Sequence, residues 1–247
     1  MRADYLLIDI SNSFTKLAFS TTDRVGRAAQ VPTRKLTLGA LRGFLSRGEM
    51  RAIVVSSVVP ARNSLVSKAA GRKSVIFVSA KTKLGVGIDY PKPSTIGADR
   101  LANAAAVAEL YGCPAVVVDF GTAVTFDVVS RERDYIGGVI APGLEAMTSY
   151  LYQRTALLPK LSLREPRSAI GKTTHDAMLS GAVFGYRGLV REILAQIRSG
   201  GFRREKVRVV ATGGYAELIA RQMREIDAVH PGLTLEGLRL IGNLNVR

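Results

Sequence analysis

A carboxylate, a glycine and hydroxyls at the tip of a hairpin can hold a cation together with a phosphate. Residues 116–129 bring those types together. Val116, Val117 and Val118 read as a strand buried on both faces, and the strand ends at Asp119. Gly121 permits a tight turn and a close approach to the backbone. Thr122 and Thr125 add hydroxyls before the chain runs out again as an apolar strand. Taken alone, the stretch fits an ordinary hairpin with a polar tip equally well. A second stretch repeats the plan. An apolar run from Tyr5 ends in Asp9, Ser11-Asn12-Ser13 make a small polar turn, Thr15 supplies a hydroxyl, and a second apolar run reaches Phe19. One plan opening each half points to a duplicated domain with a cleft between the copies.

The elements that must position these tips follow from periodicity. Strands are predicted over 5–10 and 14–20, a helix over 37–47, a strand at 52–55, a helix over 63–70 stopped by Gly71, and a strand at 75–78. This β-β-α-β-α-β order is that of one ribonuclease-H-like half. Residues 86–96 hold two prolines and no helical period, so they read as a loop, and loops carry sites. Gly97-Ala98-Asp99-Arg100 then leads into an alanine-rich helix reaching Leu110. Asp99 falls in or beside its first turn, where the helix dipole favours a carboxylate. A capping Asp with Arg100 as surface partner accounts for it equally well. Gly112-Cys113-Pro114 marks the join, giving halves 1–113 and 114–247.

In the second half, Asp134 to Gly143 reads as a strand followed by a glycine-rich turn, and 144–157 as a helix. Gly171-Lys172-Thr173-Thr174 leads into a long helix over 176–198. It is not a P-loop, because position 166 is proline where the leading glycine is required. Thr173 or Thr174 fits a helix cap. Residues 207–211 read as a buried strand, Thr212-Gly213-Gly214 as a strand-to-helix turn able to cradle a phosphate, and 215–223 as a helix. The chain is expected to end, over 231–238, as loop and short strand.

Composition narrows the classes. The 247 residues are 47% hydrophobic and 22% charged, enough to bury substantial cores and too apolar for disorder. No apolar run approaches the roughly 18 residues of a membrane span, and the N-terminus lacks a signal-peptide pattern. The lone Cys113 permits no internal disulfide, which suits the cytoplasm. Two distant histidines and one cysteine make no metal set or Cys–His nucleophile. A net charge of +15 raises nucleic-acid binding, but basic residues such as Arg24, Arg72, Arg198 and Arg204 are dispersed. With no Trp and 6% aromatic residues there is no base-stacking platform, so an anionic small substrate explains the charge as well.

The pieces in order resemble the type III pantothenate kinases, of the acetate and sugar kinase, actin and heat-shock ATPase superfamily. The set is Asp9…Asn12-Ser13, Ser57-Val58-Val59-Pro60, Tyr90, Gly97-Ala98-Asp99-Arg100, Asp119-Phe120-Gly121-Thr122-Ala123 with Asp127, Gly137-Gly138…Pro142-Gly143, Gly171-Lys172-Thr173-Thr174 and Thr212-Gly213-Gly214. Each piece is weak alone; the ordered set, covering nearly the whole chain, is specific. The resemblance implies an α/β fold of duplicated ribonuclease-H-like domains with a nucleotide cleft between the halves. It implies ATP-dependent phosphorylation of pantothenate to 4'-phosphopantothenate, the first step of coenzyme A biosynthesis. It makes Asp9, Ile10, Ser11, Asn12, Ser13, Phe14, Thr15 and Lys16 the first phosphate loop for ATP, with Thr122 as a further ATP contact. Asp99 is then the general base. Tyr90, Gly97, Ala98, Asp99, Arg100 and Thr174 (or its neighbour Thr173) contact pantothenate. Asp119 binds a monovalent cation, K⁺ or NH₄⁺, and Mg²⁺ arrives with ATP. A cytoplasmic homodimer is also implied, with the substrate pocket near the subunit contact.

One position departs from the family pattern: Ser11 stands where members usually have glycine. If the position needs φ > 0, serine costs roughly 1–2 kcal/mol locally, and weakened ATP binding is expected. That departure, with the basic charge, motivates an alternative: a catalytically weak relative with a regulatory or nucleic-acid-associated role. Another phosphotransferase or phosphohydrolase of the same fold is a third reading, which Tyr90 and Gly97–Arg100 argue against.

Overall fold

Six consecutive buried residues make β1 (Tyr5–Ile10), and a buried strand of this kind needs cover on both faces. The computed structural model describes residues 3–203 and 205–246; Arg204, named above, lies outside them. The chain follows β1 with β2 (Phe14–Ser20), β3 (Ala29–Pro32), α1 (Leu38–Leu45), β4 (Ala52–Ser57), α2 (Pro60–Ala70), β5 (Ser74–Phe77), β6 (Gly87–Ile88) and α3 (Ala98–Leu110). Strands β3-β2-β1-β4-β5 form one sheet, with β1 antiparallel to β2 and parallel to β4. Leu6, Ile8 and Ile10 turn to one face and pack with Leu41, Leu45 and Val66 of α1 and α2. The predicted ββαβαβ order is present, with β3 added as a four-residue, partly exposed edge strand too short to show a period.

The second half of the chain supplies β7 (Ala115–Phe120), β8 (Ala123–Val129), β9 (Asp134–Pro142), α4 (Leu144–Arg154), α5 (Thr174–Gly201), β10 (Arg208–Gly213), α6 (Ala216–Ala220) and β11 (Ala228–Val229). Its sheet runs β11-β10-β7-β8-β9, and β6 joins beyond β9. Read from β9, the order β9-β8-β7-β10-β11 repeats β3-β2-β1-β4-β5, so the duplication seen in the two tips extends to the whole sheet plan. Val116, Val118, Phe120, Val124 and Phe126 share a core with Val183, Tyr186, Val190 and Leu194 of α5.

The compact units are not continuous in sequence. The first holds the chain up to Gly112, Val129–Gly137 and everything from Gly232 on; the second holds Cys113–Val128 and Gly138–Pro231. The expected loop and short strand at 231–238 is instead a helix, α7 (Leu233–Asn245), and it packs against α3 and against β1 and β4. Leu233, Leu235, Leu238 and Ile241 are buried along it. A Cβ at Gly237 would collide with the carbonyl of Ala102, and one at Gly242 would lie 3.2 Å from the Tyr5 ring. Gly237 lets α7 approach the α3 backbone, and Gly242 lets it approach β1 and β4, rather than break the helix. Two smaller expectations also change. The strand β9 runs through Gly137 and Gly138, where a turn was expected, and α6 is five residues long, stopping short of Met223.

Candidate functional site

Hydrogen bonds of the first tip explain its shape. Ser11 N–H donates to Phe14 O (3.1 Å), closing the turn between β1 and β2. Thr33 Oγ1 donates to Ser11 O at 2.6 Å and lies 3.0 Å from Thr15 Oγ1, bracing the turn from below. Asp9 is buried at the end of β1, with Lys16 opposite it on β2 and Ser56 beside it on β4. Ser11 Oγ donates to Asp9 Oδ2 at 3.4 Å. Among described non-glycine residues only Arg133 has a positive φ, so Ser11 bears none of the left-handed strain feared for it. The grounds for weakened ATP binding by strain therefore fall away. Asn12, Ser13 and Phe14 are exposed at the tip.

The same tip reaches α3 through β4. Val58 N–H donates to Ile10 O (3.0 Å), and a Cβ at Gly97 would lie 3.5 Å from Val58 Cγ1. That position would also sit 2.6 Å from Asp99 Oδ1, so glycine is needed where Asp99 folds back. Gly97 is the N-cap of α3 and Asp99 lies in the first turn. Asp99 Oδ1 accepts from Arg100 N–H (2.8 Å). It is therefore not the capping residue that the sequence left open. Burial pushes the Asp99 carboxyl above the usual carboxylate range, and the Arg100 N–H bond and guanidinium charge offset only part of this. A raised carboxyl is a better proton acceptor than an ordinary surface Asp.

Tyr90 and Arg100 meet on a third residue that the sequence did not single out. The Arg100 guanidinium carbon lies 5.5 Å from the centroid of the Tyr135 ring, and Tyr90 meets that ring edge-on at 6.1 Å. Tyr135 is the first buried residue of β9, and its only signal in the sequence is its place in an apolar alternation.

At the second tip, Gly121 N–H donates to Ala123 O (3.0 Å) and Gly143 N–H to Thr122 O (3.2 Å). Asp119 is half-buried and Thr122 exposed. Gly213 has φ +93, and a Cβ there would lie 2.6 Å from both Asp119 Oδ1 and Phe120 N. The glycine of the Thr212-Gly213-Gly214 turn thus serves the close approach of β10 to the Asp119 end of β7. Asp127 is fully buried on β8, and Thr125 Oγ1 donates to its Oδ2 at 3.3 Å.

Thr173 caps α5: its Oγ1 accepts from Asp176 N–H (3.1 Å) and donates to Asp176 Oδ2 (2.9 Å). Thr174, exposed, is the first residue of the helix. The preceding segment is anchored by Glu165, which accepts both Arg187 Nη atoms at 2.9 and 2.7 Å. Arg187, buried on α5, also donates to Ile219 O and Leu218 O. Among the described residues no cluster of three His, Cys, Asp or Glu could hold a metal, and no helix is long and apolar enough to cross a membrane.

Known proteins share this fold. Component A of the (R)-2-hydroxyglutaryl-CoA dehydratase of Acidaminococcus fermentans superposes with a TM-score of 0.53 at 13% identity, over 98% of this chain and 96% of that one. The likeness shows the fold, duplicated ribonuclease-H-like domains of the actin-like ATPase type. A type III pantothenate kinase of Akkermansia muciniphila is 50% identical over 98% of this chain and 99% of its own. One of Methylacidiphilum infernorum is 40% identical over 98% and 89%. The family model described as type III pantothenate kinase matches residues 5–196. On that match and those identities, the chain belongs to the type III pantothenate kinase family.

Proposed function

We propose that this chain transfers the γ-phosphoryl group of ATP to the primary hydroxyl of pantothenate, giving 4'-phosphopantothenate at the start of coenzyme A biosynthesis. The observation that carries the reading is Asp99, a carboxylate with raised proton affinity at a helix start, next to Arg100 and within one aromatic cluster with Tyr90. Phosphoryl transfer depends mainly on positioning and charge neutralisation. Asp99 accepts the proton of the attacking hydroxyl, within about 3 Å or through one water. Arg100, with its planar fork, holds the pantothenate carboxylate, and Tyr90, Gly97 and Ala98 line the acceptor pocket. Thr174 adds a hydroxyl, since that of Thr173 is committed to the cap. Asp9 to Lys16 form the first phosphate loop, and Thr122 contacts ATP from the second tip.

The residues present fit the implied ions. Ser56 Oγ is fully buried with no hydrogen-bond partner among the described residues, and Ser56 stands beside Asp9 in the sheet register. An orphaned oxygen beside a carboxylate suits the waters of a Mg²⁺ carried by ATP, which keeps several waters and needs few protein ligands. That ion supplies neutralisation of the phosphate charge when bound. Asp119, cradled by the backbone at Gly213 and Gly121, offers hard oxygen to a K⁺ or NH₄⁺ without a carboxylate cluster.

The reading extends to assembly. Ile140, Met147, Tyr150, Leu151, Leu157 and Ile170 are exposed on β9, α4 and the segment leading to α5. So much exposed apolar surface marks an interface, and a second copy of the chain covers it. The enzyme works in the cytoplasm.

The test is ADP release from ATP on adding pantothenate, in K⁺ or Na⁺ only, for wild type and Asp99→Asn. Pantothenate-dependent turnover that requires K⁺ and falls by about 10²–10⁴-fold in Asp99→Asn supports the kinase and its base together. Turnover that survives the substitution removes Asp99 as base. No turnover in wild type overturns the kinase reading.

A further inference from the structure

Tyr135 belongs to none of the motifs that carry the family resemblance, yet the two side chains read as gripping the acceptor converge on it. It is fully buried on β9, and its carbonyl accepts from Asp89 N–H (3.0 Å), which ties the loop before Tyr90 to the strand. The face of its ring receives the Arg100 guanidinium at 5.5 Å. The Tyr90 ring meets it at 6.1 Å with an interplanar angle of 65°, the edge-to-face arrangement aromatic quadrupoles prefer. Two residues on, Gly137 has φ +126, and a Cβ there would lie 3.6 Å from Tyr90 Cε2. The backbone of β9 at Gly137 thus runs alongside the ring of Tyr90.

We propose that Tyr135 is the positioning residue of the acceptor site: its ring fixes the orientations of Tyr90 and Arg100, and thereby the affinity for pantothenate, without touching pantothenate itself. Arg100 is a long side chain with much rotamer freedom, and a guanidinium stacked on a buried ring has already lost that freedom before the carboxylate arrives. Pre-organisation of this kind appears as acceptor affinity, because the ordering cost is not met at binding. Both contacts use the ring, so the ring, which phenylalanine keeps, is the part the positioning role needs. The inference rests on the kinase reading, which makes Tyr90 and Arg100 acceptor ligands.

The experiment measures KM for pantothenate and KM for ATP in wild type, Tyr135→Phe and Tyr135→Leu, with thermal unfolding of each. The leucine variant is expected to raise the pantothenate KM by about tenfold or more, while the ATP KM moves by less than about twofold. The phenylalanine variant is expected to stay within about threefold of wild type in both, because the ring is kept. Should the leucine variant fail to fold, Tyr135→Met, whose unbranched chain can adapt to the space and has no ring, is read by the same criteria. An unchanged acceptor KM in the ringless variant overturns the proposal. So does an equal rise in both KM values, which is the signature of general damage, or a phenylalanine variant as impaired as the ringless one. A wild type with no pantothenate-dependent turnover overturns the kinase reading and the acceptor role of Tyr135 with it. A working wild type beside an indifferent ringless variant overturns Tyr135 alone.

Discussion

As the proposed general base, Asp99 would have to be charged in a place that disfavours charge. Its burial raises the carboxyl, and the adjacent Arg100 lowers it by less. Two consequences follow with opposite signs. If it is the base proposed above, it acts deprotonated, and kcat/KM is then expected to fall as pH drops through the raised value, with the acid limb above the value near 3.9 of a free Asp. As a structural element it binds protons more tightly folded than unfolded. The stability it contributes is fully present below the unfolded value and is lost as pH rises through the folded one. Asp99→Asn removes the buried charge, and is expected to abolish most turnover while raising Tm at pH 7, by about 2–4 °C for each kcal/mol regained. A fall in Tm would mean that the carboxylate is held by compensating contacts. At this scale the sequence shows its carboxylates plainly, because Asp9 and Asp119 interrupt apolar runs. It does not show that Ser11 sits at negative φ, since backbone angle depends on the brace from Thr33, 22 residues away. Nor does it show Tyr135, whose partners come from a loop and a helix start distant in the chain.

The helix that carries Asp99 is held by a helix from the other end of the chain. Thr234 Oγ1 donates to Asn103 Oδ1 at 2.9 Å, both buried, and α7 crosses α3 with Gly237 against the Ala102 carbonyl. Gly237→Ala forces the two helices apart three residues from Asp99. We expect a loss of at least about 2 kcal/mol in urea unfolding, together with reduced kcat at unchanged ATP KM. Gly43→Ala, in open space on the exposed face of α1, is the contrasting case and should gain about 0.5–1 kcal/mol. If both glycines tolerate alanine equally, close packing of α7 does not hold α3. The strands were legible because runs such as Leu6-Leu7-Ile8 and Val116-Val117-Val118 are buried on both faces. Helix α7 was not. Pro231-Gly232 and Gly237 read as breakers when no packing partner is in view, and only the packing shows that Gly237 is a point of contact with α3.

For the whole molecule the sequence gives a large surplus of positive charge but no direct sign of what covers its apolar surface. The charge of +15 is spread along the chain, which suits steering of anionic ATP and pantothenate with a rate that falls as salt rises. The apolar surface is concentrated instead. Leu157 is 89% exposed, Ile170 73%, Ile140 62% and Tyr150 60%, all within the second unit between β9 and α5. A helix such as α4, flanked by exposed apolar side chains on both of its connections, is costly to leave in water, and the proposed symmetric pair of chains would hide it by presenting the same surface twice. Sedimentation equilibrium should therefore give twice the chain mass for wild type. Ile140→Asp with Leu151→Asp places four charges in the symmetric contact and should yield monomers. Because Thr174 begins the helix that follows this surface, the monomeric form should lose affinity for pantothenate more than for ATP. A wild type that sediments as a single chain at micromolar concentration would remove the interface. A monomeric variant with unaltered acceptor KM would keep the dimer but detach it from the acceptor site.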